Sequence, residues 1–139
     1  MVSENELIEL LLDESSAAAA EWLPVGPGDD AAEVDTGGPH VVVTTDMVVE
    51  GLHFEPDTPV EKVAWKAVAR SLSDLAGMAA EPLCSLAAVK LAGSPPEDGS
   101  RRLVARLAAA ARELEAPLAG GDISIGGGAL SITVTCMGT

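Results

Sequence analysis

Apolar residues change their spacing along this chain, and the spacing predicts its elements. Ser3 followed by Glu6 makes a capping box, and Leu7, Ile8, Leu10, Leu11 and Leu12 then supply one apolar face, so a first helix is expected to start near Glu4. Ser16 to Trp22 is alanine-rich and predicts a further helical turn or two, ended by Pro24, Gly26, Pro27 and Gly28. A short strand at Ala31 to Val34 and a long one at Val41 to Val49 follow, joined by a turn at Thr36 to Pro39. Between Pro59 and Ala80 the period becomes helical. Ala64, Ala67, Val68, Ser71, Leu72, Leu75 and Met78 fall on one side, with Lys62, Lys66, Arg70 and Ser73 on the other and Asp74 at the border.

Pro82 stops that helix, and Leu83 to Leu91 reads as a strand. A helix starting at Pro95 or Pro96 carries Arg101, Arg102, Arg106 and Arg112 on its wet side and alanines on its packed side. Pro117 to Ala119 predicts a short strand ending in Gly120-Gly121-Asp122, then a loop with Gly126, Gly127 and Gly128, then a last strand, ALSITVTCM. The order αββαβαβ implies an α/β chain, a mixed sheet with helices packed on it. No repeat or linker divides residues 1–139, which read as a single domain.

Composition narrows the chemistry. With 47% hydrophobic residues in 139, the chain can bury a core, built from Ala, Val, Leu and Ile because Trp22, Phe54 and Trp65 are its aromatic residues. A formal charge of −14, with eight Lys and Arg against 22 Asp and Glu, argues against nucleic acid and against acidic membrane surfaces as partners. An anionic small molecule remains open, provided divalent cations stand between its phosphates and the carboxylates. Cys84 and Cys136 lack metal or redox spacing and read as free thiols of a reducing compartment. The amino terminus has no basic segment before an apolar run, and no stretch approaches the length of a membrane span, so a cytoplasmic location is expected.

The acidic residues are placed suggestively. Asp30 closes a Gly/Pro loop, Asp46 interrupts the most strand-like run at its expected end, Asp74 sits on a helix edge and Asp122 follows two glycines. Magnesium takes hard oxygen ligands, commonly a few carboxylates together with substrate phosphates, and Thr44 and Thr45 add oxygens of the same kind. Each residue also has a bland reading: Asp30 and Asp122 as turn formers, Asp74 as a rim acid, His53 as a solvated imidazole, the 126–128 glycines as a hairpin loop. Neither GxxxxGK[ST] nor GxGxxG occurs, so any nucleotide site is of another type.

In order, GPGDDAA, VTTDMVVEGLHF, KAVARSLSDLAGMAAEP and GGD followed by LSITVTCMG resemble the amino-terminal domain of the thiamine-monophosphate kinase family, over nearly the whole chain. That family belongs to the aminoimidazole ribonucleotide synthetase superfamily, and the resemblance implies its fold, with helices on one face of a sheet that pairs two copies into a homodimer. It implies transfer of a phosphoryl group from ATP to thiamine monophosphate with Mg2+, without a covalent enzyme intermediate and so without a catalytic nucleophile. Asp30, Thr44, Thr45, Asp46, Asp74 and Asp122 match the family's magnesium positions, Gly121 and Asp122 its ATP contact, and His53 a substrate contact. Where relatives usually have Val-Asn-Leu-Ser-Asp this chain has Arg70-Ser71-Leu72-Ser73-Asp74, Ile125 stands in place of an Arg, and Ala80 in place of a common Gly. The family has a second domain of comparable size, absent from these 139 residues, and turnover is expected to need it. Another ATP-dependent synthetase of the superfamily, or a nucleotide-binding or dimerisation module without turnover, are the alternative readings.

Overall fold

A computed structural model describes residues 6–10, 20–26, 29–93 and 97–139. Residues 6–10 are helical, within the first helix expected, while its capping Ser3 and its start near Glu4 lie outside the described residues; so does most of the expected alanine-rich stretch from Ser16 to Trp22, and 21–22 form a turn. Five strands follow: β1 (Ala32–Val34), β2 (Val41–Val49), β3 (Pro82–Ala92), β4 (Leu118–Gly126) and β5 (Ser131–Gly138). Two longer helices, α1 (Val60–Gly77) and α2 (Glu97–Glu113), also lie among the described residues. The sheet runs β1-β2-β5-β3-β4, antiparallel except for the β3/β4 pair, which is parallel. Parallel pairing requires a crossover, and α2 supplies it.

One face of the sheet carries the core. Val42 and Val48 of β2, Ala87, Val89 and Leu91 of β3, and Ile132, Val134 and Cys136 of β5 are buried there. Against them pack Val63, Ala64, Ala67, Val68 and Leu75 of α1, with Leu103, Leu107, Ala110 and Ala111 of α2. Small residues let α1 approach closely, and the buried Ser71 hydroxyl donates to the Val134 carbonyl at 3.0 Å. The Cys136 thiol is pushed up by burial, and both cysteines are free. No described helix is long and apolar enough to cross a membrane.

The opposite face is open. Register aligns Met47, Thr133, Ala88 and Asp122 in one row across four strands, and Thr45, Thr135, Leu86 and Gly120 in the next. Met47 is 48% exposed and Leu86 38%.

Two local expectations are corrected. Asp46 does not end β2; it lies inside the ladder opposite Val134, and the strand continues to Val49. The strand expected to end at Gly120-Gly121-Asp122 does not stop there, because β4 runs on to Gly126, paired with β3. Gly121 is required there: a Cβ would stand 2.0 Å from the Ala87 carbonyl oxygen. Where the chain leaves α1, Ala79 has φ +55°, a conformation that favours glycine.

Candidate active site

The strand period splits the expected ligands between two faces. Successive residues of β2 face opposite ways, so Thr44 and Asp46 look toward α1 while Thr45 looks to the open face. There the Thr45 hydroxyl meets that of Thr135 at 2.9 Å. Asp122 lies on the open face too, on an exposed edge strand, with Ser124 Oγ donating to it at 3.3 Å.

On the helix side, α1 crosses β2 with two polar rungs. Thr44 Oγ1 donates to Asp74 Oδ2 at 2.8 Å, and Arg70 Nε meets Asp46 Oδ1 at 3.0 Å. Arg70 and Asp74 are one helical turn apart, and Thr44 and Asp46 two strand residues apart, so the rungs are neighbours. Asp30 completes the group: Thr44 Oγ1 lies 3.4 Å from its carbonyl oxygen, and its carboxylate lies against Gly77. A Cβ on Gly77 would come within 2.8 Å of Asp30 Oδ2, so the bare glycine makes the seat. Asp30, Thr44 and Asp74 are thus gathered from a loop, a strand and a helix, with Asp46 beside them and held by Arg70.

The donor set is entirely oxygen, the chemistry of a hard divalent cation. Among the described residues, no three His, Cys, Asp or Glu side chains converge as a metal cage. Magnesium rarely uses such a cage: it keeps waters and takes one or two carboxylates with substrate phosphates. The Asp74 carboxylate and the Asp30 carbonyl on either side of the Thr44 hydroxyl, with the Asp30 carboxylate seated at Gly77, supply oxygens of the kind that demand names.

His53 lies apart, on the turn after β2. Its Nδ1 accepts from the Val49 amide at 3.0 Å, which fixes the tautomer and leaves Nε2 as the protonated nitrogen of the neutral ring. Lys66 Nζ donates to the His53 carbonyl, holding the turn on α1. Leu52, His53, Phe54, Glu55, Lys62 and Lys66 help line a cavity of about 450 Å³. Gly121 and Asp122 line another, of about 390 Å³, between α2 and β4, walled by Val104, Leu107 and Ile123. The Arg70 pairing was not among the expectations, although its position one turn before Asp74 was the available signal.

A five-stranded sheet covered on one face by two helices, with carboxylates gathered where strand and helix meet, defines an amino-terminal domain of the AIR synthase-related type. Residues 28–139 match the family described as AIR synthase related protein, N-terminal domain, and the chain belongs to that family. Within it, the chain is similar to particular enzymes. It is 33% identical to the thiamine-monophosphate kinase of Corynebacterium glutamicum over 99% of this chain and 40% of that protein. It is 39% identical to the thiamine-monophosphate kinase of Synechococcus elongatus over 70% of this chain and 30% of that one. The structure of AaThiL complexed with AMPPCP and TMP superposes with a TM-score of 0.81 at 27% identity, over 97% of this chain and 41% of that one. The chain therefore spans at most about 40% of the length of these curated relatives.

Proposed function

We propose that this chain is the metal- and nucleotide-binding half of a kinase that transfers the γ-phosphoryl group of ATP to thiamine monophosphate, giving ADP and thiamine diphosphate. The observation that carries the reading is the Thr44–Asp74 bond with Asp30 beside it, which joins the Thr-Thr-Asp strand and the Ser-Asp helix in a domain similar to thiamine-monophosphate kinases. Asp30, Thr44 and Asp74 would hold Mg2+, with Asp46 adjacent, and the bound ion would supply neutralisation of phosphate charge during transfer. The chain's own part is to position: no nucleophile from the protein is needed when the acceptor's phosphate oxygen is held in line with the γ-phosphoryl group and ADP leaves. His53 and its cavity receive the acceptor, and Gly121 and Asp122 meet the nucleotide from β4. Thr45 is committed to Thr135 and contributes no side chain on the metal side of the sheet.

In this reading the protein works in the cytoplasm, on small anionic substrates, without nucleic acid or membrane partners, and as a homodimer closed through the open sheet face. That face supports the last point, since it leaves Met47 and Leu86 in solvent in the single copy. The test is formation of thiamine diphosphate from ATP and thiamine monophosphate, measured for the 139-residue chain and for the chain joined to the carboxy-terminal portion of the Corynebacterium glutamicum relative. Mg2+-dependent turnover by the joined protein, and little by the short chain, is expected. Turnover of a different acceptor and none of thiamine monophosphate would overturn the substrate.

A further inference from the structure

We infer that Arg70 is a resident cation of this site: it occupies Asp46 and thereby sets how strongly the Asp30/Thr44/Asp74 group draws a divalent metal. The inference rests on the metal reading above and concerns a residue to which that reading gives no role. Asp46 sits mid-strand, where a carboxylate on the covered face needs a partner, and the partner the structure gives it is the Arg70 guanidinium at 3.0 Å. Asp74, on the neighbouring rung, has two hydroxyl donors, Thr44 and Ser73, and no cation among the described residues. The helix side of β2 is therefore divided into a half already neutralised by protein and a half left anionic.

Geometry couples the halves. Positions one helical turn apart lie about 5–6 Å from each other at Cβ, so an ion on Asp74 feels the guanidinium directly. A unit charge near that distance, in a medium close to water, weakens the binding of a divalent ion by roughly tenfold. A guanidinium stays charged at every working pH, so the effect cannot be titrated away. Arg70 also keeps Asp46 from turning its lone pairs to an incoming ion. A metal arriving alone is held loosely, and one arriving with a polyphosphate, which brings its own negative charge and its own oxygens, is favoured.

Mn2+ alone, followed by its electron paramagnetic resonance signal, tests this on the 139-residue chain. R70Q is expected to bind Mn2+ roughly tenfold more tightly than the native chain; R70K, which keeps the charge, is expected to stay close to it. The gain should vanish in R70Q/D46N, where the freed carboxylate is gone. Circular dichroism should find all three variants folded, since the Arg70 and Asp46 side chains are both partly exposed, Arg70 to 43%. If R70Q binds no more tightly while D30N and D74N still weaken binding, the inference is overturned and the metal reading stands. If the native chain binds no Mn2+, or D30N and D74N are without effect, the metal reading fails and the inference with it.

Discussion

Gly77 decides where the Asp30 carboxylate can rest. Alanine is the better helix former, by about 0.8–1.0 kcal/mol in a helix interior and by less at Gly77, the last residue of α1, so on propensity alone G77A should raise stability slightly. Its Cβ would press on Asp30 Oδ2 at 2.8 Å, and the carboxylate would have to move. The expected outcome is a chain at least as stable in thermal melts that binds Mn2+ severalfold more weakly, by roughly 1 kcal/mol, as for a displaced charged partner. Unchanged metal binding would mean that the Asp30 seat has no part in the site. The residue scale is also where the sequence was hardest to read. Asp30, Thr44 and Asp74 meet across separations of 14 and 30 residues, which no local pattern encodes. The division between Thr44 and Thr45, in contrast, was implicit in the strand period, because adjacent side chains of a β-strand cannot face one ion together.

Elements were legible where burial imposes a period. The valine run fixed β2 at Val41–Val49, and the apolar positions from Ala64 to Leu75 marked the face that α1 buries. β4 was not legible as a strand of nine residues, since GGDISIG has the composition of a turn; pairing with β3 supplies its order, and seven of its nine residues stay exposed. The end of α1 offers a direct test of local strain. Ala79 sits at φ +55° while the Ala80 amide donates back to the Leu75 carbonyl at 2.9 Å, the closing bond of a helix stop that glycine suits best. A79G should therefore raise stability by about 1 kcal/mol, read as a shift in the denaturation midpoint; a loss would show that the left-handed turn is unstrained.

The two helices are clamped to each other by Glu61, which Arg102 Nη2 meets at 2.6 Å and Arg106 Nε at 3.5 Å. The Glu61 carboxyl is held below its ordinary range by its own backbone amide first and by Arg102 second. A lowered folded pKa means that the clamp's contribution is complete above the ordinary carboxylate value and is lost as pH falls through the lowered one. Thermal melts of the native chain and E61Q should differ at neutral pH and converge in acid. A gap that persists undiminished into acid would contradict the assignment.

At the scale of the whole molecule, one covered face and one open face make the fold asymmetric. An uncovered sheet with Met47 and Leu86 in solvent is suited to a second copy, and a self-complementary pairing about a two-fold axis would cover both at once. Analytical ultracentrifugation should find a dimer at micromolar concentration, and M47K should make it a monomer while leaving the fold intact, since Met47 is 48% exposed in the single copy. A native chain that sediments as a monomer would remove the dimer from the account.

The central claim is that carboxylates gathered between β2 and α1 hold a divalent cation for a nucleotide's phosphates. Titration calorimetry of the 139-residue chain with an unreactive ATP analogue, with and without Mg2+, tests it most directly. The account predicts binding that depends on Mg2+ and falls at least tenfold in D74N, consistent with a charged-group contribution of about 1.5–3 kcal/mol. Equal binding in the absence of Mg2+, or a D74N chain that binds like the native one, would contradict it.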